Sequence, residues 1–82
     1  MIYLDWAATA PADPDILEQV REVSTRFYAN PSAPHAAGRE ALQALEDCRR
    51  RLAAVLGSSP DEVVFTSGGS ESNNMVLFTL LR

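Results

Sequence analysis

Val63-Val64-Phe65-Thr66-Ser67-Gly68-Gly69-Ser70-Glu71-Ser72-Asn73-Asn74 decides how this chain is read. A short apolar run feeds a small, hydroxyl-rich turn, and a second apolar segment, Met75-Val76-Leu77-Phe78, follows at once. That order predicts a buried strand, a glycine turn and the start of a helix. Such a turn aims unpaired N–H groups and the positive end of a helix dipole at one point, which suits a phosphate. Gly68 and Gly69 let the backbone approach an anion with no Cβ in the way. Ser67, Ser70 and Ser72 add hydroxyl donors, and Ser70 has the composition of an N-cap. Turns of this kind also occur with nothing bound beyond their own helix cap, so a phosphate cradle and a bare cap both remain open on spacing alone.

The nucleotide signatures narrow the choice. The chain contains no G-x-x-x-x-G-K-[ST], and no G-x-G-x-x-G follows the apolar run. Nucleoside triphosphates and dinucleotides are disfavoured, and a cofactor with a single phosphate ester fits better.

Outward from the turn, Asp13-Pro14 is a helix start: Asp as N-cap, Pro at the first helical position. Ile16, Val20, Val23 and Phe27 recur at helical spacing, and the helix is expected to end near Tyr28-Ala29, ahead of Asn30-Pro31. A second helix is expected from about Ala36 to Leu56, with Ala41, Leu45, Cys48, Leu52 and Val55 as its buried stripe and Gly57 as C-cap. Ile2-Tyr3-Leu4 is an apolar entry, Asp5 to Pro11 an irregular or tight turn, and Ser59-Pro60-Asp61-Glu62 a turn into the strand. One strand has no sheet to join and needs neighbours on both sides. The expectation is therefore that residues 1–82 are the front portion of a larger α/β protein.

The 82 residues carry a net charge of −4, which argues against nucleic acid or an anionic membrane as partner. Arg49-Arg50-Arg51 follows Glu46 and Asp47 and reads as a solvated helix face. Cys48 is the one cysteine, so no intrachain disulfide forms. With no apolar stretch of membrane-spanning length and no signal-like N-terminus, the expected location is the cytoplasm.

Three segments together resemble the cysteine desulfurases, a branch of the class V aminotransferase group of pyridoxal-phosphate enzymes. Tyr3-Leu4-Asp5-Trp6-Ala7-Ala8-Thr9-Ala10-Pro11 is similar to Y-L-D-x-A-A-T-T-P. Asn30-Pro31-Ser32-Ala33-Pro34-His35-Ala36-Ala37-Gly38-Arg39-Glu40-Ala41 is similar to N-P-S-S-x-H-x-x-G-x-x-A. Phe65 to Asn74 is similar to F-T-S-G-(A/G)-T-E-S-N-N. The middle segment resembles the iron–sulfur-cluster and nitrogen-fixation branch.

The resemblance implies the N-terminal portion of a pyridoxal-phosphate-dependent transferase fold. It implies a parent that converts L-cysteine to L-alanine and passes sulfur on as a persulfide, as a homodimer that serves sulfur-acceptor or scaffold proteins. Selenocysteine lyases and other class V enzymes are the alternatives, and a non-catalytic, self-associating piece is the reading from a different class. By motif position Gly69 and Ser70 are the residues that hold the cofactor phosphate, with Ser in place of the family's usual Thr. Asn73 and Asn74 are expected to tie down the helix and its loops. Trp6 departs from the family's Asn or Tyr. His35 is expected at a helix start rather than in catalysis, and Cys48 as a buried, inert thiol. The implied Schiff-base lysine lies elsewhere, because these residues include no lysine; alone they are expected to be inactive, with no catalytic residue and no metal ligand.

Overall fold

The computed structural model describes residues 1–81. The element order is α1 (Pro14–Arg26), α2 (Ala36–Leu56), a single 3-10 turn (Pro60–Glu62) and α3 (Gly69–Leu80). The chain divides into two compact units, Met1–Leu45 and the residues from Glu46 onward, with the division inside α2.

In the first unit, Tyr3 and Trp6 pin the N-terminal turn. The Tyr3 hydroxyl donates to the carbonyl of Thr9 at 2.8 Å, and Trp6 Nε1 donates to the carbonyl of Tyr3 at 3.0 Å. The indole N–H is thus spent on the backbone. α1 starts as expected: the Asp13 carboxylate accepts from the Asp15 N–H at 2.8 Å, and Pro14 occupies the first turn. It ends at Arg26, short of the expected Tyr28-Ala29, and Phe27 is its C-cap. The backbone turns off before the Asn30-Pro31 restriction acts. His35 Nδ1 accepts from the Gly38 N–H at 3.0 Å and so caps the start of α2. Gly38 is buried, and a Cβ there would meet the Ala33 Cβ and the Asn30 carbonyl oxygen, each at 2.9 Å. This close approach is what requires glycine.

In the second unit α2 ends at Leu56 in a Schellman motif: Ser58 N donates to Ala53 O, Gly57 N to Ala54 O, and Gly57 takes φ +70°. The stripe expected on α2 needs correction. Ala41 and Ala53 are its buried hydrophobic positions, Leu52 and Val55 are exposed, and Cys48 is exposed with its Sγ 3.5 Å from Arg51 Nη2. The inert, buried thiol is therefore withdrawn.

The expected strand is also corrected, since no strand occurs among the described residues. Val63 is buried, whereas Val64 and Phe65 are 62% and 44% exposed. An extended segment without a neighbour has no ladder to join, and here a side chain takes that part. Arg49 Nη1 donates to the Val63 carbonyl, its Nε pairs with Glu46 at 3.1 Å, and its guanidinium lies 4.9 Å from the Phe65 ring centroid.

Candidate functional site

The glycine turn and the first turn of α3 form one hydrogen-bonded unit. α3 begins at Gly69 with Gly68 as N-cap in an extended conformation (φ 167°, ψ −178°). The expectation of Ser70 as N-cap is corrected: Ser70 is the second helical residue, two positions past the N-cap Gly68. Ser67 is closed off. Its N–H and its hydroxyl both donate to Glu71 Oε2, at 2.8 and 2.6 Å. These bonds hold the Glu71 carboxyl below the ordinary glutamate range, the hydroxyl contributing more than the backbone N–H. Glu71 reaches back as the acidic partner of a capping box does, one residue further than usual.

Ser72 is turned inward as well. The Gly68 carbonyl accepts from Ser72 N at 3.2 Å, lies 3.2 Å from Ser72 Oγ and 3.1 Å from Thr66 Oγ1, and the two hydroxyls are 2.7 Å apart. Of the three serine hydroxyls read as phosphate donors, Ser70 alone has no partner among the described residues. The N–H groups of Gly68, Gly69 and Ser70 likewise have no acceptor among the described residues, as the first residues of a helix do not. The side chains of Asn73 and Asn74 make no hydrogen bond among the described residues, so their expected bracing role has no support here.

What remains outward-facing is a set of backbone donors on two glycines, one free hydroxyl and the positive end of a 12-residue helix. Nothing lies within 4 Å of a Cβ built on Gly68 or Gly69, chain neighbours aside, so no packed side chain crowds the two glycines. The donor set is neutral and hydrogen-bonding, and the acidic side chain beside it, Glu71, is engaged by Ser67. It fits one tetrahedral phosphate monoester, and nothing in it would bind the ring of a cofactor. No group of metal-binding side chains occurs among the described residues, and no helix there is long and apolar enough to cross a membrane.

Residues 2–82 match the family model Aminotransferase class-V, and the chain belongs to that family. The family implies the pyridoxal-phosphate-dependent transferase fold. The chain is similar to a cysteine desulfurase of Frankia sp., 44% identical over 77 residues that make up 94% of this chain and 18% of that protein. It is 44% identical to a mitochondrial cysteine desulfurase of Drosophila melanogaster over 93% of this chain and 17% of the relative. It is also 38% identical to a selenocysteine lyase of Bos taurus, over 99% of this chain and 18% of that protein. The chain thus spans about a fifth of the length of these curated relatives. No solved structure matches it.

Two roles escaped the sequence reading. The sequence marks Ser72 as a candidate phosphate donor and gives Thr66 no separate role, yet the two converge on one carbonyl. The signal available was a hydroxyl on either side of a Gly-Gly pair, six residues apart. Arg49 was read as a solvated charge, and its stem is long enough to reach the apolar run from α2.

Proposed function

We propose that the chain is the N-terminal portion of a pyridoxal-phosphate-dependent cysteine desulfurase, in which Gly69 and Ser70 hold the cofactor phosphate. The observation that carries this is the donor set at the start of α3: the N–H groups of Gly68, Gly69 and Ser70 and the Ser70 hydroxyl, none with a partner among the described residues, in a family that uses a phosphorylated cofactor. When bound, the cofactor supplies an electron sink for the chemistry at the amino acid's carbon skeleton. These residues anchor it. The N–H groups and the Ser70 hydroxyl donate to the phosphate oxygens, and the dipole of α3 favours the negative charge. Glu71 keeps its own charge on Ser67, away from those oxygens. The amine nucleophile and the attacking thiolate belong to other parts of the full-length protein.

The proposed substrate is L-cysteine, the products L-alanine and a protein-bound persulfide, and the acceptors iron–sulfur-cluster scaffolds or other sulfur-receiving proteins. The active form is proposed to be a homodimer in the cytoplasm. A selenocysteine lyase is the second reading, favoured by the similarity to the bovine enzyme over nearly the whole chain. Supplying the full-length protein with L-cysteine or L-selenocysteine and measuring alanine, sulfide and selenide separates them. Alanine from cysteine at a rate near that from selenocysteine supports the desulfurase. Turnover of selenocysteine alone supports the lyase, and a product other than alanine overturns both.

A further inference from the structure

We propose that Thr66 and Ser72 are positioning residues that aim the Gly69 N–H at the cofactor phosphate, an inference that rests on the phosphate reading above. The Gly68–Gly69 peptide carries no Cβ on either side and has no neighbour within 4 Å of either Cβ position. A Gly-Gly peptide is the most rotationally free unit a chain can contain, so something must fix its direction if its N–H is to serve a ligand. The Gly68 carbonyl is where that happens. It has two lone pairs, and three donors crowd it: Ser72 N–H, Ser72 Oγ and Thr66 Oγ1.

The two hydroxyls own one hydrogen each, and they lie 2.7 Å from one another. One therefore donates to the Gly68 carbonyl and the other donates to the first. Either arrangement saturates the carbonyl with one hydroxyl and the Ser72 N–H. In a planar trans peptide the C=O and the following N–H point in opposite directions. Holding the Gly68 carbonyl against α3 thus turns the Gly69 N–H outward, to the side where it has no acceptor among the described residues. Glu71 does not substitute for the pair, because it binds Ser67, one peptide earlier.

The test uses the full-length protein with Thr66→Val, which keeps the side-chain volume, Ser72→Ala, the double variant, and Thr66→Ser as the conservative rescue. Dissociation constants for pyridoxal phosphate and for unphosphorylated pyridoxal are read from cofactor absorbance. Each single loss leaves the other hydroxyl to donate to the Gly68 carbonyl and is expected to weaken pyridoxal phosphate about 2-fold or less, with pyridoxal unchanged and Thr66→Ser near wild type. The double variant removes both hydroxyls and should weaken pyridoxal phosphate about 5- to 10-fold, the worth of one hydrogen bond and more than the product of the singles, since either hydroxyl can serve the carbonyl alone. Unchanged pyridoxal phosphate affinity in the double variant, or equal loss for pyridoxal, overturns the proposal.

A second measurement titrates inorganic phosphate into protein carrying isotope-labelled glycine and follows the Gly69 amide resonance. If wild type holds no pyridoxal phosphate, the cofactor reading falls. A Gly69 amide that still answers to phosphate in wild type and not in the double variant then upholds the positioning pair. A Gly69 amide blind to phosphate in wild type overturns the pair.

Discussion

Gly69 and Ser70 were singled out from one motif, and the structure gives them different physical standing. Ser70 Oγ has no partner among the described residues, so Ser70→Ala removes nothing that holds the chain together. Its expected effect is confined to the ligand. Cofactor release should rise by the loss of one hydrogen bond, about 0.5–1.5 kcal/mol, or about 3 kcal/mol toward a charged oxygen, with no change in melting temperature. Gly69 takes no positive φ, and a Cβ there meets nothing within 4 Å. Gly69→Val therefore keeps the fold and fails only by crowding the phosphate. Full-length Gly69→Val that melts like wild type and retains cofactor would place the phosphate on another turn. Glu71 makes a pH prediction with a definite sign. Its carboxyl is lowered by the Ser67 bonds, so the stabilisation is fully present above the ordinary glutamate value. It is lost progressively as pH falls through the lowered one. Amide exchange at Ser67 should accelerate over that acid window in wild type and be pH-independent beyond the intrinsic rate in Glu71→Gln. Equal behaviour of the two would show that the carboxylate does not hold the turn. A hydroxyl at the head of α3 was legible in the sequence; the roles of Ser67 and Ser72 were not. A hydroxyl's direction depends on which neighbour reaches it first.

At the scale of elements, starts and stops were well marked where local chemistry decides them. Asp13-Pro14 opens α1, and Gly57 closes α2 with a left-handed turn, each as its residue type requires. The strand failed for the opposite reason. Val63 to Phe65 has strand composition, but strand identity is conferred by a paired neighbour, and composition cannot supply one. Arg49 holds the segment in the neighbour's place, through the Val63 carbonyl, Glu46 and the Phe65 ring. Arg49→Met keeps most of the aliphatic stem and removes all three interactions. It should cost roughly 1–2 kcal/mol, the sum of one hydrogen bond and a partly exposed cation–π contact. Urea unfolding of the full-length protein gives the loss, and hydrogen exchange should localise it to Val63–Thr66. An unchanged midpoint would mean that other parts of the protein hold this segment and that Arg49 is dispensable. The stripe on α2 was misplaced because periodicity names a face without naming what covers it. Ala53, between the apolar positions that were picked, is the residue with 1% exposure.

Across the chain, Ala41, Ala53 and Val63 are the buried hydrophobic residues among the described ones. Ile16, Val20 and Val23 of α1 stay more than half exposed, although they form the single apolar face of an amphipathic helix. α3 differs in kind. Val76, Leu77, Phe78 and Leu80, which face different directions around the helix, are 54–75% exposed. A helix apolar on all sides is the pattern of one enclosed within a large protein. Such surface in water drives association. Residues 1–82 produced alone should therefore show light scattering that rises with concentration and a broad, weakly cooperative thermal transition. Charging two sides of α3 with Val76→Glu and Phe78→Lys should suppress the scattering while leaving helix content nearly unchanged, since these residues make few native contacts to lose. In the full-length protein the same pair should be severely destabilising, because each would place a charge where the proposed fold encloses α3. The two results together discriminate. A monodisperse, sharply melting 82-residue chain would show that its apolar faces find partners within it. A full-length double variant as stable as wild type would show that α3 lies at the surface, and with it the phosphate turn that its first residues form.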